Sequence, residues 1–198
     1  MELFDSFIAG SHVVTMTIMS ALSNVLGLGT NGRLEQHHSD DVDSNTTLVL
    51  LRYPRQTMND ANVGHNKHTD IGSLTLLFSE QRGLQVLSPV DSQWEFVEPR
   101  AGHAVINIGD SLRFLSGKRL SSCMHRVVPA ADMNSHRYSI AYFLRPENGL
   151  RFEDPEGKEI TAKEWHDKKY RTFADSHEEQ NRHSVLMGGM ASLTEIAL

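Results

Sequence analysis

Cysteine is the rarest residue in this 198-residue sequence, present once as Cys123. One thiol excludes an internal disulfide, which points to a reducing compartment and an expected cytoplasmic location. Long basic runs are also missing. The densest is Lys168-Lys169 with Arg171 close behind, and 19 Lys+Arg against 25 Asp+Glu leave a net charge of −6. A phosphate backbone calls for a basic face, so nucleic acid is not an expected partner. The short basic cluster reads as a solvated helix face. There is no repeat and no low-complexity segment. A leader or membrane span is not expected either. Residues 13–28 are apolar, but Glu2 and Asp5 precede them without any Lys or Arg, which is wrong for a signal n-region. Ser20, Ser23 and Asn24 interrupt the run, and a span needs about 20 mostly apolar residues. The segment reads as a core-facing helix.

What is present suits one soluble globular domain. The sequence is 39% hydrophobic and 22% charged, and its length is enough to bury a real core. Leu3, Phe7, Ile8, Val14, Ile18, Ala21, Leu22, Val25 and Leu26 recur at roughly helical spacing. Gly27 and Gly29 then stop that helix. Residues 31–45 are polar and read as a loop or a loose helix end. Beyond them the pattern changes to short β-type runs at 46–53, 74–78, 84–87, 94–97, 104–108, 124–128 and 138–144. Turn-formers such as Gly83, Ser88-Pro89, Gly109-Asp110 and Ser116-Gly117 separate them. Asp110 is a candidate cap for a short helix through Leu115. Residues 162–179, with Trp165, Tyr170 and Phe173, read as a C-terminal helix lying on the sheet. The expected class is mainly β: an antiparallel barrel or double-stranded β-helix (jelly roll), with a long N-terminal helix and a C-terminal helix packed on it. The expected divisions are 1–45 as helix and polar connection, 46–150 as the jelly roll, and 151–198 as a helical extension.

Eleven histidines carry an argument only through spacing. His68-Thr69-Asp70 places two metal-ligand types at i and i+2, which share one face if the segment is a strand. His125, at the start of another β-type run, is the candidate third ligand. Two imidazoles and one carboxylate on one side of an ion leave its other positions open, the facial arrangement suited to Fe(II). An isolated His-x-Asp is weak evidence: His68 alone reads as a loop histidine and His125 alone as a satisfied core histidine. Arg137 and Ser139 strengthen the signal. They alternate onto one face of an apolar run, and a guanidinium fork beside a hydroxyl suits a carboxylate.

From about Leu50 to Pro146 the sequence resembles the Fe(II)/2-oxoglutarate-dependent dioxygenases of the isopenicillin N synthase-like family. The resemblance lies in six ordered blocks: Leu51-Arg-Tyr-Pro54, residues 68–77, Gly83-Leu-Gln-Val86, Val105-Ile-Asn-Ile-Gly-Asp110, residues 119–127 and residues 137–143. It implies His68, Asp70 and His125 as iron ligands, Arg137 and Ser139 on the far carboxylate of 2-oxoglutarate, and Tyr53 as a further cosubstrate contact. It implies oxidation of a C–H bond in a small organic molecule by O₂, through hydroxylation, desaturation or ring formation, in secondary metabolism. Fe(II) and 2-oxoglutarate are the implied metal and cosubstrate, with ascorbate as a candidate accessory, in a monomer or homodimer that binds neither nucleic acid nor membrane. Two departures stand out: Leu51 where plant-like members often carry Asn, and Gly117-Lys118 in place of an Asn-Gly turn. Relatives also carry about a hundred further residues ahead of the first helix, a domain-scale difference.

Ile71, Leu74, Leu76, Phe143 and the Arg52/Arg55 region are candidate pocket lining, with plain barrel core the favoured reading for the aliphatic ones. Arg55, Asn59 and Lys67 read as solvated loop residues, and Cys123 as a small buried hydrophobe rather than a thiolate ligand. Three other readings stay open. The first is a relative that uses O₂ without 2-oxoglutarate. The second is a truncated non-catalytic fragment that binds metal or a partner. The third is a sugar-binding or isomerase jelly roll, which would not call for Arg137-x-Ser139.

Overall fold

The structure, a computed structural model, describes residues 2–54, 65–128, 136–180 and 184–190. Among the described residues, ten strands, β1 (Thr47–Tyr53), β2 (His65–His68), β3 (Leu74–Phe78), β4 (Leu84–Leu87), β5 (Trp94–Phe96), β6 (Val105–Ile108), β7 (His125–Val127), β8 (Arg137–Leu144), β9 (Arg151–Glu153) and β10 (Glu159–Thr161), form three sheets. One four-stranded sheet has the order β1-β8-β3-β6 and a second the order β2-β7-β4-β5. Every pairing is antiparallel. The two sheets enclose a cavity lined from both sides, as a jelly roll should. β9 and β10 make a separate hairpin, absent from the sequence reading because three-residue strands leave no periodicity to detect.

Alternation along β8 divides labour between the two faces of the β1-β8-β3-β6 sheet, which has the longer strands and is the larger of the two four-stranded sheets. Arg137, Ser139, Ala141 and Phe143 point into the cavity, while Tyr142 and Leu144 join the core on the outer face. In register, Tyr53 lies opposite Arg137 and Leu51 opposite Ser139. Thr75 lies opposite Phe143 and Leu77 opposite Ala141. The outer core is made by Leu74, Leu76, Tyr142 and Leu144 against Met19 of helix α1 (Glu2–Val25) and Leu112 of helix α2 (Asp110–Leu115). Each of these large apolar side chains contributes roughly 1.5–3 kcal/mol by leaving water.

Helix α1 forms where helical spacing placed it, and Ile18, Leu22 and Leu26 of the expected apolar stripe pack partly buried against the core, but its fully buried line is a different one. The line Ser11, Thr15, Met19, Ser23 faces inward, while Leu3, Val13, Val14 and Val25 are exposed. Small side chains let the helix backbone approach the sheet closely. The Thr15 hydroxyl is satisfied by donating to the Ser11 carbonyl at 2.9 Å, and Ser23 donates to Glu35 at 2.6 Å. By length and mean hydropathy α1 is apolar enough to cross a membrane, with about a fifth of that window buried in the fold.

The C-terminal helix is two pieces rather than one: α3 (Ala162–Thr172) and α4 (His177–Gln180). α3 starts with a capping box between Thr161 and Glu164. Ser176 pairs with Glu179 in the same way and restarts the chain as α4. Asp110 is the first residue of α2 rather than its cap, because Gly109 occupies the cap position and the Asp110 side chain is engaged elsewhere. At the Gly117-Lys118 turn both residues hold a left-handed φ, 62° and 64°. Lys118 is there in a region that side chains rarely adopt.

His38 ties the polar connection after α1 to the larger sheet. Its Nδ1–H donates to the Leu34 carbonyl at 2.9 Å, and Nε2 accepts from the Ser73 hydroxyl at 2.7 Å. Burial pushes its pKa from 6.5 down to about 4, against the Leu34 carbonyl, which favours the charged ring. Between those values the unfolded chain binds a proton that the folded chain refuses. Stability should therefore fall, by on the order of 3 kcal/mol, as pH drops through that window. Urea unfolding from pH 7 to 4.5 measures the slope. His38→Gln, which has no titrating ring, should remove much of it; an unaltered slope would assign the effect to other groups.

Candidate metal centre

His68 closes β2, and the chain then leaves the smaller sheet, crosses through residues 69–73 and enters the larger sheet as β3. Asp70 lies on this crossing, so the pair does not share a strand face as the i, i+2 spacing suggested. The turn of the chain between sheets brings the two side chains together instead. The crossing is held tightly: Asp110 N–H donates to the Asp70 carbonyl at 2.8 Å, and Ser73 N–H to the Leu144 carbonyl at 2.8 Å. A side chain at Gly72 would meet the Leu144 carbonyl oxygen at 2.6 Å, so only glycine fits there. His125 pairs directly with His68 across β2 and β7.

His68, Asp70 and His125 each present one donor atom, and the three atoms lie within 4.8 Å of one another. His68 Nε2 and His125 Nε2 are each 3.7 Å from Asp70 Oδ1. Neither gap is a hydrogen bond. The opposite nitrogens are occupied. His68 Nδ1 faces the Asn66 carbonyl at 2.6 Å and His125 Nδ1 the Cys123 carbonyl at 3.0 Å. A carbonyl only accepts, so each Nδ1 carries a proton and Nε2 is the atom left for a metal. Burial holds the His68 ring neutral, its pKa well below 6.5.

Asp70 is kept ionised. Burial would raise its pKa, while any positive charge on the His125 or His68 ring and, independently of it, hydrogen bonds from Asn107 and Thr75 lower it and hold the carboxyl well below the usual range. Thr75 Oγ1 donates to Asp70 Oδ2 at 2.6 Å and Asn107 Nδ2 at 2.7 Å, which leaves Oδ1 facing both imidazoles. Phe173, just past α3, covers the rings edge-on to His68 and stacked on His65, both at 5.5 Å between centroids.

A cavity of about 160 Å³ runs from this cluster to Tyr53, Arg137 and Ser139. Arg137 is 1% exposed, and its Nε has no hydrogen-bond partner among the described residues. Its guanidinium carbon lies 5.1 Å from the Tyr53 ring centre, and one terminal nitrogen is 3.5 Å from Ser139 Oγ. Burial lowers the Arg137 pKa, opposed by Tyr53. Burial raises that of Tyr53, opposed by Arg137. A buried cation with an unsatisfied donor beside two hydroxyls is arranged for an anion.

The basic cluster near the C-terminus is not a solvated face. Lys168 and Arg171 are exposed, but Lys169 is wholly buried and pairs with Asp110, also wholly buried, at 2.5 Å. Lys169 Nζ also donates to Thr69 Oγ1 at 2.6 Å, and Asp110 Oδ1 accepts from Ser122 at 2.9 Å. One ion pair thus grips both segments that carry ligands: Thr69 sits between His68 and Asp70, and Ser122 three residues before His125.

Residues 44–146 match the family profile described as the 2OG-Fe(II) oxygenase superfamily, which names 2-oxoglutarate and Fe(II). The chain belongs to this superfamily. It is 55% identical over 95% of its length to the 2-oxoglutarate-dependent dioxygenase iboH of Amanita muscaria, and covers 93% of that protein. It is 48% identical to the oxidoreductase vrtI of Penicillium aethiopicum over 98% of its own length, but spans 48% of that relative. It spans 57% of the dioxygenase gloE of Glarea lozoyensis, so it covers little more than half of several relatives. Among solved structures it resembles a Neurospora crassa protein crystallised in complex with alpha-KG and thymine. The TM-score is 0.69 at 30% identity, covering 81% of this chain and 53% of that one.

The donor set fits the metal that the family implies. Two imidazole nitrogens and one carboxylate oxygen converge, with Thr75 and Asn107 holding the carboxylate in place. The unsatisfied Arg137 Nε fits the cosubstrate. All six site residues read from the sequence line one cavity. Of the candidate pocket-lining residues, Ile71 and Phe143 line a cavity, while Leu74 and Leu76 are core, the favoured reading for aliphatic positions. Leu74 and Leu76 face α1, and Thr75 and Leu77 take the inward positions. Arg52 points outward, 2.9 Å from His136. Arg55 and Asn59 lie outside the described residues. Cys123 does line the cavity, and burial together with Asp70 raises its pKa to about 11, so it stays a thiol. Thr75, Asn107 and Lys169 escaped the sequence reading. Asn107 had a signal: a lone amide inside the apolar run Val-Ile-Asn-Ile.

Lys169→Met should leave Asp110 buried without its partner and cost about 3–5 kcal/mol. Urea unfolding reads the loss, and Lys169→Met with Asp110→Leu should recover part of it. A single-variant cost under about 1 kcal/mol would mean the pair is not a tie between the two ligand segments.

Proposed function

We propose that this chain is an Fe(II)- and 2-oxoglutarate-dependent dioxygenase that oxidises a C–H bond of a small organic molecule, in the setting of secondary metabolism. The observation that carries the reading is the single cavity, with three converging donors at one part of its wall and a buried, half-satisfied arginine at another. His68, Asp70 and His125 are the proposed iron ligands, and Arg137, Ser139 and Tyr53 the proposed cosubstrate contacts. The residues fit their roles chemically. Imidazole and carboxylate suit Fe(II), and a planar guanidinium can meet a carboxylate with two parallel hydrogen bonds. Iron and 2-oxoglutarate, once bound, supply the oxidation: O₂ is consumed, the cosubstrate becomes succinate and CO₂, and a C–H bond is oxidised.

The protein's share is placement. Thr75 and Asn107 aim one carboxylate oxygen of Asp70 at the ion, and the Asn66 and Cys123 carbonyls aim the two Nε2 atoms. Apolar walls from Leu77, Val86, Val105 and Val127 exclude water around the charged groups. Residues 46–150 form the proposed oxygenase unit. The flanks contribute more than cover, since Lys169 and Phe173 reach the ligand segments. A cytoplasmic monomer or homodimer, with ascorbate as accessory, completes the proposal. A relative that keeps the arginine-serine pair but uses O₂ without 2-oxoglutarate would release no succinate.

Succinate release with Fe(II), O₂ and 2-oxoglutarate tests the reading, alongside the absorbance band of the anaerobic Fe(II)·2-oxoglutarate complex. The wild type should show both. His68→Ala, Asp70→Ala or His125→Ala should each weaken Fe(II) binding by about 100-fold or more and abolish succinate release. A variant with unchanged Fe(II) affinity would remove that residue from the ligand set. Arg137→Lys should raise the 2-oxoglutarate concentration needed by about 10- to 100-fold, because a point charge replaces a fork. Unchanged cosubstrate dependence would move the carboxylate contact elsewhere.

A further inference from the structure

A second, larger cavity of about 440 Å³ adjoins the metal centre and is walled by His68, Asp70, Ile71, Phe143, Phe173 and Arg145, among others. Its volume falls in the range that holds small organic ligands. Besides the metal ligands, His65 and Tyr170, its polar lining residue among those described is Arg145. Arg145 continues the inward alternation of β8, so Arg137 and Arg145 stand eight residues apart at the two ends of one strand face, with Ser139, Ala141 and Phe143 between them.

Arg145 is only partly satisfied. One terminal nitrogen donates to the Asn45 carbonyl, and its guanidinium carbon lies 5.2 Å from the Phe143 ring centre. Its Nε is buried and has no hydrogen-bond partner among the described residues, and no described acidic side chain forms an ion pair with it. Burial lowers its pKa, while the more distant Asp70 and Tyr170 favour the charge. A buried cation without a counter-ion costs free energy. Here that cost is placed in the wall of an otherwise apolar and aromatic cavity. The neutral alternatives, leucine or methionine, would fill the same wall without it.

We infer that the oxidised substrate is a small carboxylic acid, held by its carboxylate on Arg145 and by its carbon skeleton against Phe143 and Phe173. The inference rests on the reading of the adjoining triad as the oxidising metal centre, and it deepens that reading. On this account β8 carries two acid anchors. Arg137 takes the far carboxylate of 2-oxoglutarate in the smaller cavity, and Arg145 takes the substrate's carboxylate in the larger one. Anchoring the acid at Arg145 directs the remainder of the molecule toward His68 and Asp70, where the oxidation takes place. The bidentate geometry of a guanidinium selects a carboxylate over an amide of the same shape, because the amide lacks the charge.

The test is a binding comparison. Protein loaded with Mn(II) and 2-oxoglutarate without O₂ is titrated by calorimetry with phenylacetate, benzoate and hexanoate and with their primary amides. At least one acid should bind 10-fold or more tightly than its amide. Arg145→Gln should erase that preference by weakening the acid alone, with 2-oxoglutarate affinity within twofold of wild type. Arg145→Lys should restore part of it, which guards against a folding defect in the glutamine variant. The inference is overturned if no acid outbinds its amide, or if the preference survives in Arg145→Gln. It is equally overturned if Arg145→Gln weakens 2-oxoglutarate instead, since Arg145 would then be the cosubstrate anchor. Failure of the wild type to bind Mn(II) or 2-oxoglutarate would count against the metal-centre reading. The acid-to-amide comparison on the metal-free protein would still decide the role of Arg145.

Discussion

Three electron-pair donors buried at one point are the constraint on which the rest of the structure depends. Asp70 Oδ1 faces His68 Nε2 and His125 Nε2, each 3.7 Å away and too far for a hydrogen bond, while each ring's Nδ1 is committed to a backbone carbonyl. Left to themselves such groups would turn away into water or take up protons. The fold holds them in place. Asp70 is fixed from behind by Thr75 and Asn107, and the crossing that carries it is bolted to α2 and β8 by backbone hydrogen bonds. A metal cation bonded to all three would relieve the arrangement, so binding one should add stability as well as chemistry.

Much of the architecture follows from holding that point rigid. The sheet that supplies Thr75, Asn107 and both arginines buries its other face against α1, where Met19, Leu74, Leu76, Tyr142 and Leu144 make the main core. The inner face is thereby relieved of packing duty and can line cavities. The Lys169–Asp110 pair adds a second tie, reaching Thr69 and Ser122 together. A buried ion pair is weak evidence of net stability, since burying both charges is costly. Its use here is geometric, fixing two segments that are distant in sequence.

The strand runs and the ligand trio were legible because each leaves a local mark. Leu74–Phe78 and Leu84–Leu87 fall where the apolar runs placed them, and the His-x-Asp spacing survives whatever backbone carries it. What was not legible depends on tertiary context. Alternation says that Leu74 and Leu76 share one face and Thr75 and Leu77 the other, but not which face meets a helix and which a cavity. The inward line of α1 is Ser11, Thr15, Met19 and Ser23 because the sheet comes close, a fact absent from hydrophobic spacing. Lys169 read as solvated because nothing near it in sequence announces Asp110, 59 residues away. Arg145 went unremarked for the same reason. Its significance lies in a missing partner, which only coordinates reveal.

The most direct measurement of the central claim is a crystallographic density map of the protein prepared without O₂ in the presence of Mn(II) and 2-oxoglutarate. The account predicts one metal peak bonded to His68 Nε2, Asp70 Oδ1 and His125 Nε2, with the far carboxylate of 2-oxoglutarate on Arg137. Density for the metal at any other place, or an imidazole of the trio turned away from it, would contradict the account.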